Sequence, residues 1–89
     1  AFAVVLELIP AELAANITKA LTIPTIGIGA GNQCDAQVLV WSDLMGLTQQ
    51  PPKLAKAYRN LRKEISDGVE EWARDVASGH FPGQAQSFQ

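Results

Sequence analysis

The chain has 89 residues, of which 47% are hydrophobic and 18% charged, an ordinary globular usage that excludes a disordered, fibrous or disulfide-stapled chain. A net charge of −2, with Lys53, Lys56, Arg59, Arg62 and Lys63 set close to Glu64 and Asp67, gives no broad positive field and disfavours nucleic acid as a partner. One cysteine, Cys34, and one histidine, His80, leave neither a disulfide framework nor a Cys/His zinc site, which fits a reducing, cytoplasmic setting.

Taken in chain order, residues 1–6 (AFAVVL) form a near-continuous apolar run of strand length without alternation, the pattern of a parallel strand covered on both faces. It starts with no cap, turn or polar leader, as though upstream sequence had been removed. Pro10 suits the first turn of a helix, and Leu13, Ile17 and Leu21 recur every four positions, so the spacing predicts a helix over residues 10–20 with Glu12 near its positive end. Pro24 then opens TIGIG, a second strand, and QVLVW (37–41) supplies a third buried run. The short link between these two leaves room for one or two helical turns.

Beyond the polar, proline-bearing TQQPP (48–52), Leu54, Tyr58, Leu61, Ile65, Val69, Trp72 and Val76 step by three or four residues, predicting one long amphipathic helix from residue 54. Gly68 weakens it, and Ser78 with Gly79 supplies a stop. In the polar tail, Phe81 and Phe88 predict docking. No apolar stretch reaches the ~20 residues needed to cross a bilayer, so no membrane partner is expected.

In a parallel α/β layout the chemistry gathers at the carboxyl ends of strands. Three such ends are readable: Glu7, the GIGAG loop (Gly27–Gly31) and Asp43. Glu7 lies among Leu6, Leu8 and Ile9 with no basic neighbour, and desolvation there would raise its pKa toward a range useful for a general base. The same residue also reads as a strand-end carboxylate bonded to the helix amides after Pro10 or to an exposed edge. GIGAG lacks the last glycine of a dinucleotide fingerprint, since Asn32 stands there; its glycines serve either an anionic ligand or a tight turn. Asp35 and Asp43 are oxygen donors for a divalent cation or, more simply, cap and turn residues. Trp41 and Trp72 read as core or interface.

Taken together, LELIPAELAANITKALTIPTIGIGAGNQCDAQVLVWSDLMGL resembles the C-terminal portion of the ketopantoate hydroxymethyltransferase family. The resemblance rests on Glu7, Pro10, Glu12–Ala14, Pro24, Ile26–Gly31, Asp35, Gln37–Val40, Asp43, Gly46 and Leu47. It continues through Ser78, Gly79, Phe81, Pro82, Ser87 and Phe88. Ser42, where many members have histidine, and the ending GQAQSF depart from the pattern.

The resemblance implies an α/β fold, the C-terminal part of a TIM (β/α)8 barrel of the phosphoenolpyruvate/pyruvate superfamily, with residues 1–89 a segment of that single domain. It implies transfer of a hydroxymethyl group from 5,10-methylenetetrahydrofolate to 3-methyl-2-oxobutanoate on the way to pantothenate and coenzyme A. Glu7 is then the catalytic, proton-abstracting base, and Mg2+ chelates the 2-oxo acid through ligands in the missing N-terminal part, with no metal ligand assigned here. The implied partners are the small 2-oxo acid, the folate and other copies of the chain in a large homo-oligomer. The segment alone is expected to be inactive. The competing expectations are a non-enzymatic barrel piece that self-associates through open strand edges and, from GIGAG alone, a small nucleotide-binding unit.

Overall fold

The computed structural model describes residues 1–89. Three short parallel strands, β1 (Val4–Glu7), β2 (Thr25–Ile28) and β3 (Ala36–Gln37), form one sheet in the order β1-β2-β3. Val4 pairs with Thr25, Leu6 with Gly27 and Glu7 with Ile28; on the other side of β2, Ile26 pairs with Ala36 and Gly27 with Gln37. Helix α1 (Ala11–Ala20) makes the crossover from β1 to β2, as parallel neighbours require.

The first helix forms where the sequence predicts it, although its buried face is different. Ala14 is fully buried and Ile17 and Thr18 half-buried, whereas Leu13 and Leu21 are exposed. A methyl-sized residue lets the helix approach the sheet closely, and Thr18 secures the approach: its hydroxyl donates to the Ala14 carbonyl at 2.8 Å and lies 2.8 Å from the hydroxyl of buried Thr25 on β2. The core is accordingly small. Leu6, Ala14 and Ala30 form it, with Val4, Ile9, Ile17 and Cys34 packed around them.

This core covers one face of the sheet only. Successive strand residues point to opposite faces, so Val4, Leu6, Thr25 and Gly27 share the face under α1, and Val5, Glu7, Ile26 and Ile28 share the other. No helix of this chain lies over that second face, and the expectation of a first strand covered on both sides fails for that reason: Val5 is exposed.

The predicted third buried run is also corrected. β3 is two exposed residues long, Val38 and Val40 are about half exposed, and Trp41 is an exposed residue that opens the short helix α2 (Trp41–Leu44). β3 has a strand neighbour on one side only, and of the apolar residues 38–41 that follow it only Leu39 is half-buried.

The last helix, α3 (Leu61–Ser78), starts seven residues later than the periodicity predicts. The four final carbonyls of any helix lack internal partners, and the last of α2, with that of its cap Met45, takes one from the stretch that leads into α3. Tyr58 N–H donates to Leu44 O at 2.7 Å and Leu61 N–H to Met45 O at 3.0 Å. Residues 54–58 are thereby held as an irregular strap. Asn60 then starts α3 by accepting the Lys63 N–H on its side-chain oxygen. The stop at Ser78 and Gly79 is as predicted, with Gly79 N–H bonded to Asp75 O and Val76 O.

The apolar stripe of α3 is real, but it is not buried in this chain: Ile65, Val69, Trp72 and Val76 are about half exposed. Phe81 docks edge-to-face on Trp72, with ring centroids 6.3 Å apart. Phe88, expected to dock as well, is 99% exposed.

Candidate active site

Glu7 is the last residue of β1 and stands at the carboxyl end of the sheet. Because Leu6 is committed to the core under α1, pleating directs the Glu7 side chain to the opposite face, beside Ile28 of β2. The carboxylate is exposed. The desolvated surroundings expected from its sequence neighbours are therefore missing in this chain, since Leu8 is itself 67% exposed and the face around Glu7 has no cover. The alternative, a carboxylate capping the next helix, is not realised either: α1 has no side-chain cap.

Leu8, one residue past the strand, has φ +52°, a left-handed conformation that costs a non-glycine residue roughly 1–2 kcal/mol. The chain holds it there by bonding Leu8 N–H to Ile28 O at 2.9 Å, which extends the ladder one step beyond Glu7. Nothing in the apolar pattern of residues 4–10 signals this kink. Its effect is to end β1 abruptly at Glu7 and turn the chain toward α1.

The glycine-rich loop serves packing. A Cβ on Gly29, which has φ +67°, would stand 2.8 Å from a Leu8 methyl and 3.2 Å from one of Leu54; the two leucines thus close over its backbone. This favours the turn reading of GIGAG over an anion cradle. Asp35 and Asp43 also take their structural roles. The Asp35 carboxylate accepts from Thr25 N–H at 2.9 Å, and Asp35 N–H donates to the Thr25 hydroxyl at 3.1 Å. Asp43, expected at a strand end, lies instead in the first turn of α2, buried, and accepts a hydrogen bond from the Thr48 hydroxyl.

A cavity of about 220 Å³ opens beside the ends of β2 and β3, lined among others by Ile28, Val38, Leu39, Leu54, Lys56 and Tyr58. The Lys56 ammonium sits over the Tyr58 ring, 4.7 Å from its centroid. Sequence reading missed this pair because it assigned residues 54–58 to the long helix. A larger, more open cleft of about 420 Å³ lies between the α2–strap turn and the start of α3.

No three Asp, Glu, His or Cys side chains converge in a way that could hold a metal ion. The Ser78 hydroxyl lies 2.6 Å from His80 Nδ1, yet both are exposed and no acid orients the ring, so the contact finishes α3 rather than forming a nucleophile and base.

Fold and site together define a parallel α/β chain with a carboxylate, Glu7, at the carboxyl end of a strand, the end where the chemistry of such folds gathers. Comparison with known proteins narrows the class. The family model for ketopantoate hydroxymethyltransferase matches residues 1–84, and the chain belongs to that family. It is 60% identical over 89 residues to the 3-methyl-2-oxobutanoate hydroxymethyltransferase of Acidothermus cellulolyticus, an alignment covering 99% of this chain and 33% of the relative. It is 57% identical over 88 residues to the protein of that name from Streptomyces coelicolor (98% and 30%). With the one from Rippkaea orientalis it shares 58% over 81 residues (91% and 32%). The chain thus spans about a third of the length of the curated relatives it matches. No helix is long and apolar enough to cross a membrane.

Proposed function

We propose that this chain is the C-terminal segment of a (β/α)8 barrel of the phosphoenolpyruvate/pyruvate superfamily, in which β1, β2 and β3 are the sixth to eighth strands. The full-length protein then transfers a hydroxymethyl group from 5,10-methylenetetrahydrofolate to 3-methyl-2-oxobutanoate, forming ketopantoate for pantothenate synthesis. The observation that carries this reading is the position of Glu7: a carboxylate at the carboxyl end of a parallel strand, on the face away from the packed helix. In a closed barrel that face is the lumen, and its carboxyl end is the mouth where chemistry occurs.

Glu7 acts as general base. It takes the proton from C3 of the oxo acid, the electron pair of that C–H bond moves into the enolate, and C3 then bonds to the methylene carbon. That carbon's two bonds to folate nitrogens break, water supplies the hydroxyl, and the C3 proton and the remaining water proton end on the nitrogens of the departing tetrahydrofolate. Closing the barrel covers Val5, Ile26 and Ile28 and with them the surroundings of Glu7, so the apolar cover over the base is supplied by the full-length protein and not by these 89 residues. The segment alone is inactive for the same reason.

The magnesium ion implied by the family does not fit the residues present. Asp35 and Asp43 are engaged with Thr25 and Thr48, and no third donor converges with either. Its ligands, in this proposal, belong to the remainder of the full-length protein.

The test is deuterium exchange at C3 of 3-methyl-2-oxobutanoate in the full-length protein carrying Glu7→Gln. Exchange at the unsubstituted rate would remove Glu7 from the mechanism.

A second reading, self-association without catalysis, draws on the half-exposed α3 stripe of Ile65, Val69, Trp72 and Val76 and on the open sheet edges. It predicts that the 89-residue chain sediments as a concentration-dependent oligomer with no affinity for the oxo acid. In the full-length enzyme the same stripe is our candidate for a contact within a homo-oligomer.

A further inference from the structure

The Lys56–Tyr58 pair is absorbed by neither the Glu7 chemistry nor the core. Lys56 lies on the irregular strap between α2 and α3, where the bonds from Tyr58 N–H to Leu44 O and from Leu61 N–H to Met45 O fix the backbone. Its ammonium rests on the face of the Tyr58 ring at the rim of the 220 Å³ cavity. The salt bridge of the chain joins Lys63 to Asp67; Lys56 has no carboxylate partner. Ile28, Val38, Leu39 and Leu54 give the cavity an apolar floor, and Gly29 and Gln37 complete its lining. A cation stacked on an aromatic ring above an apolar floor suits a ligand with a flat, weakly polar body and an anionic end.

We propose that Lys56 holds the carboxylate-bearing end of the one-carbon donor, with Tyr58 and the apolar floor receiving its aromatic ring. This inference rests on the hydroxymethyl transfer proposed above, and shape decides which of the two substrates it concerns. The oxo acid has no ring to lay on Tyr58 or the apolar floor. A folate carries its carboxylates on the glutamate, at the far side of the aminobenzoyl ring from the transferred carbon, and so offers both the flat body and the anionic end. The role of Lys56 is therefore positioning and specificity toward the donor, not proton transfer.

The experiment compares the full-length protein with its Lys56→Gln and Lys56→Arg variants, measuring dissociation constants for tetrahydrofolate and for 6-methyltetrahydropterin, which lacks the aminobenzoylglutamate. We expect Lys56→Gln to weaken tetrahydrofolate about tenfold, the scale of one charge-assisted hydrogen bond. The pterin should change by less than about twofold, and Lys56→Arg should restore most of the loss. Equal losses for both ligands, or no loss for either, would overturn the proposal. So would a tenfold rise in the oxo-acid KM for C3 exchange with tetrahydrofolate binding intact, which would assign Lys56 to the oxo acid. Failure of the underlying reaction reading is separable: the unsubstituted protein would then show no C3 exchange at all.

Discussion

Glu7 and Ile28 stand opposite each other at the carboxyl ends of β1 and β2, and the next amide, Leu8 N–H, bonds to the Ile28 carbonyl at 2.9 Å. The carboxylate is thus positioned by a strand ladder and not by a loop, and the left-handed turn at Leu8 follows it at once. Rigid backbone on both sides of a charged group is what a positioned base requires.

Replacing Glu7 by Gln in the full-length protein should lower C3 exchange by about 10² to 10⁴, the usual contribution of a general base; in the 89-residue chain, where the side chain is exposed and unbonded, the same change should leave thermal stability unchanged. Leu8→Val should instead lower stability, since a β-branched residue fits φ +52° worse than leucine does. Leu8→Gly should be close to neutral, because relief of strain offsets the added flexibility of glycine in the unfolded chain. Denaturant midpoints of the three variants check the ordering.

Two glycines should respond in opposite directions to alanine. At Gly46, with φ +75°, a Cβ would stand 2.0 Å from the Arg59 carbonyl oxygen, a backbone atom that cannot swing aside; Gly46→Ala should destabilise by more than the roughly 1–2 kcal/mol of left-handed strain alone. Gly68, inside exposed α3, has nothing within 4 Å of the same position. Gly68→Ala should stabilise the helix by about 0.5–1 kcal/mol, read from thermal unfolding followed by circular dichroism.

Thr25 is fully buried and joins three elements. With the Thr18 hydroxyl proton given to Ala14 O at 2.8 Å, the Thr25 proton goes to Thr18, and Thr25 in turn accepts from Asp35 N–H at 3.1 Å. Thr25→Val keeps the shape and leaves the Asp35 amide and the second Thr18 contact without partners, a loss of about 1–3 kcal/mol. Thr25→Ser should retain most of the stability, as equilibrium unfolding of the two variants will show.

The Lys63 ammonium is held above its ordinary pKa of 10.5, first by its hydrogen bond to Asp67 and then by that carboxylate's charge. A raised value in the folded state means that any stabilisation is fully present below the ordinary lysine range and is lost as pH rises through the raised value. Both side chains are exposed, so the effect should be small and should fade with added salt. Unfolding of the Asp67→Asn variant and its parent at pH 8 and 11, in low and high salt, measures it; a gap that widened toward pH 11 would contradict the assignment.

Much of the chain's architecture is legible in residue order. Pro10 with the apolar residues that follow marks α1, Pro24 marks β2, and Ser78 with Gly79 marks the end of α3, because each acts through local backbone geometry. Glu7 is legible as a strand-end carboxylate because it follows an apolar run and precedes a proline. The start of α3 is not legible: Leu54 and Tyr58 fit the helical spacing, yet Tyr58 and Leu61 lend their amides to the end of α2, a contact across the chain that no local pattern encodes. For the same reason the Lys56–Tyr58 pair stays hidden until the strap between the helices is seen.

The sequence by itself determined the family, the element types and the residue at the strand end, since motifs, propensity and periodicity are properties of neighbours along the chain. Tertiary structure alone decided that Ala14, not Leu13, meets the sheet, that Asp35 and Asp43 are bound to threonines, and that Glu7 stands on the face without a helix. Those outcomes depend on which surfaces come together and which stay open, and burial is settled by partners distant in sequence.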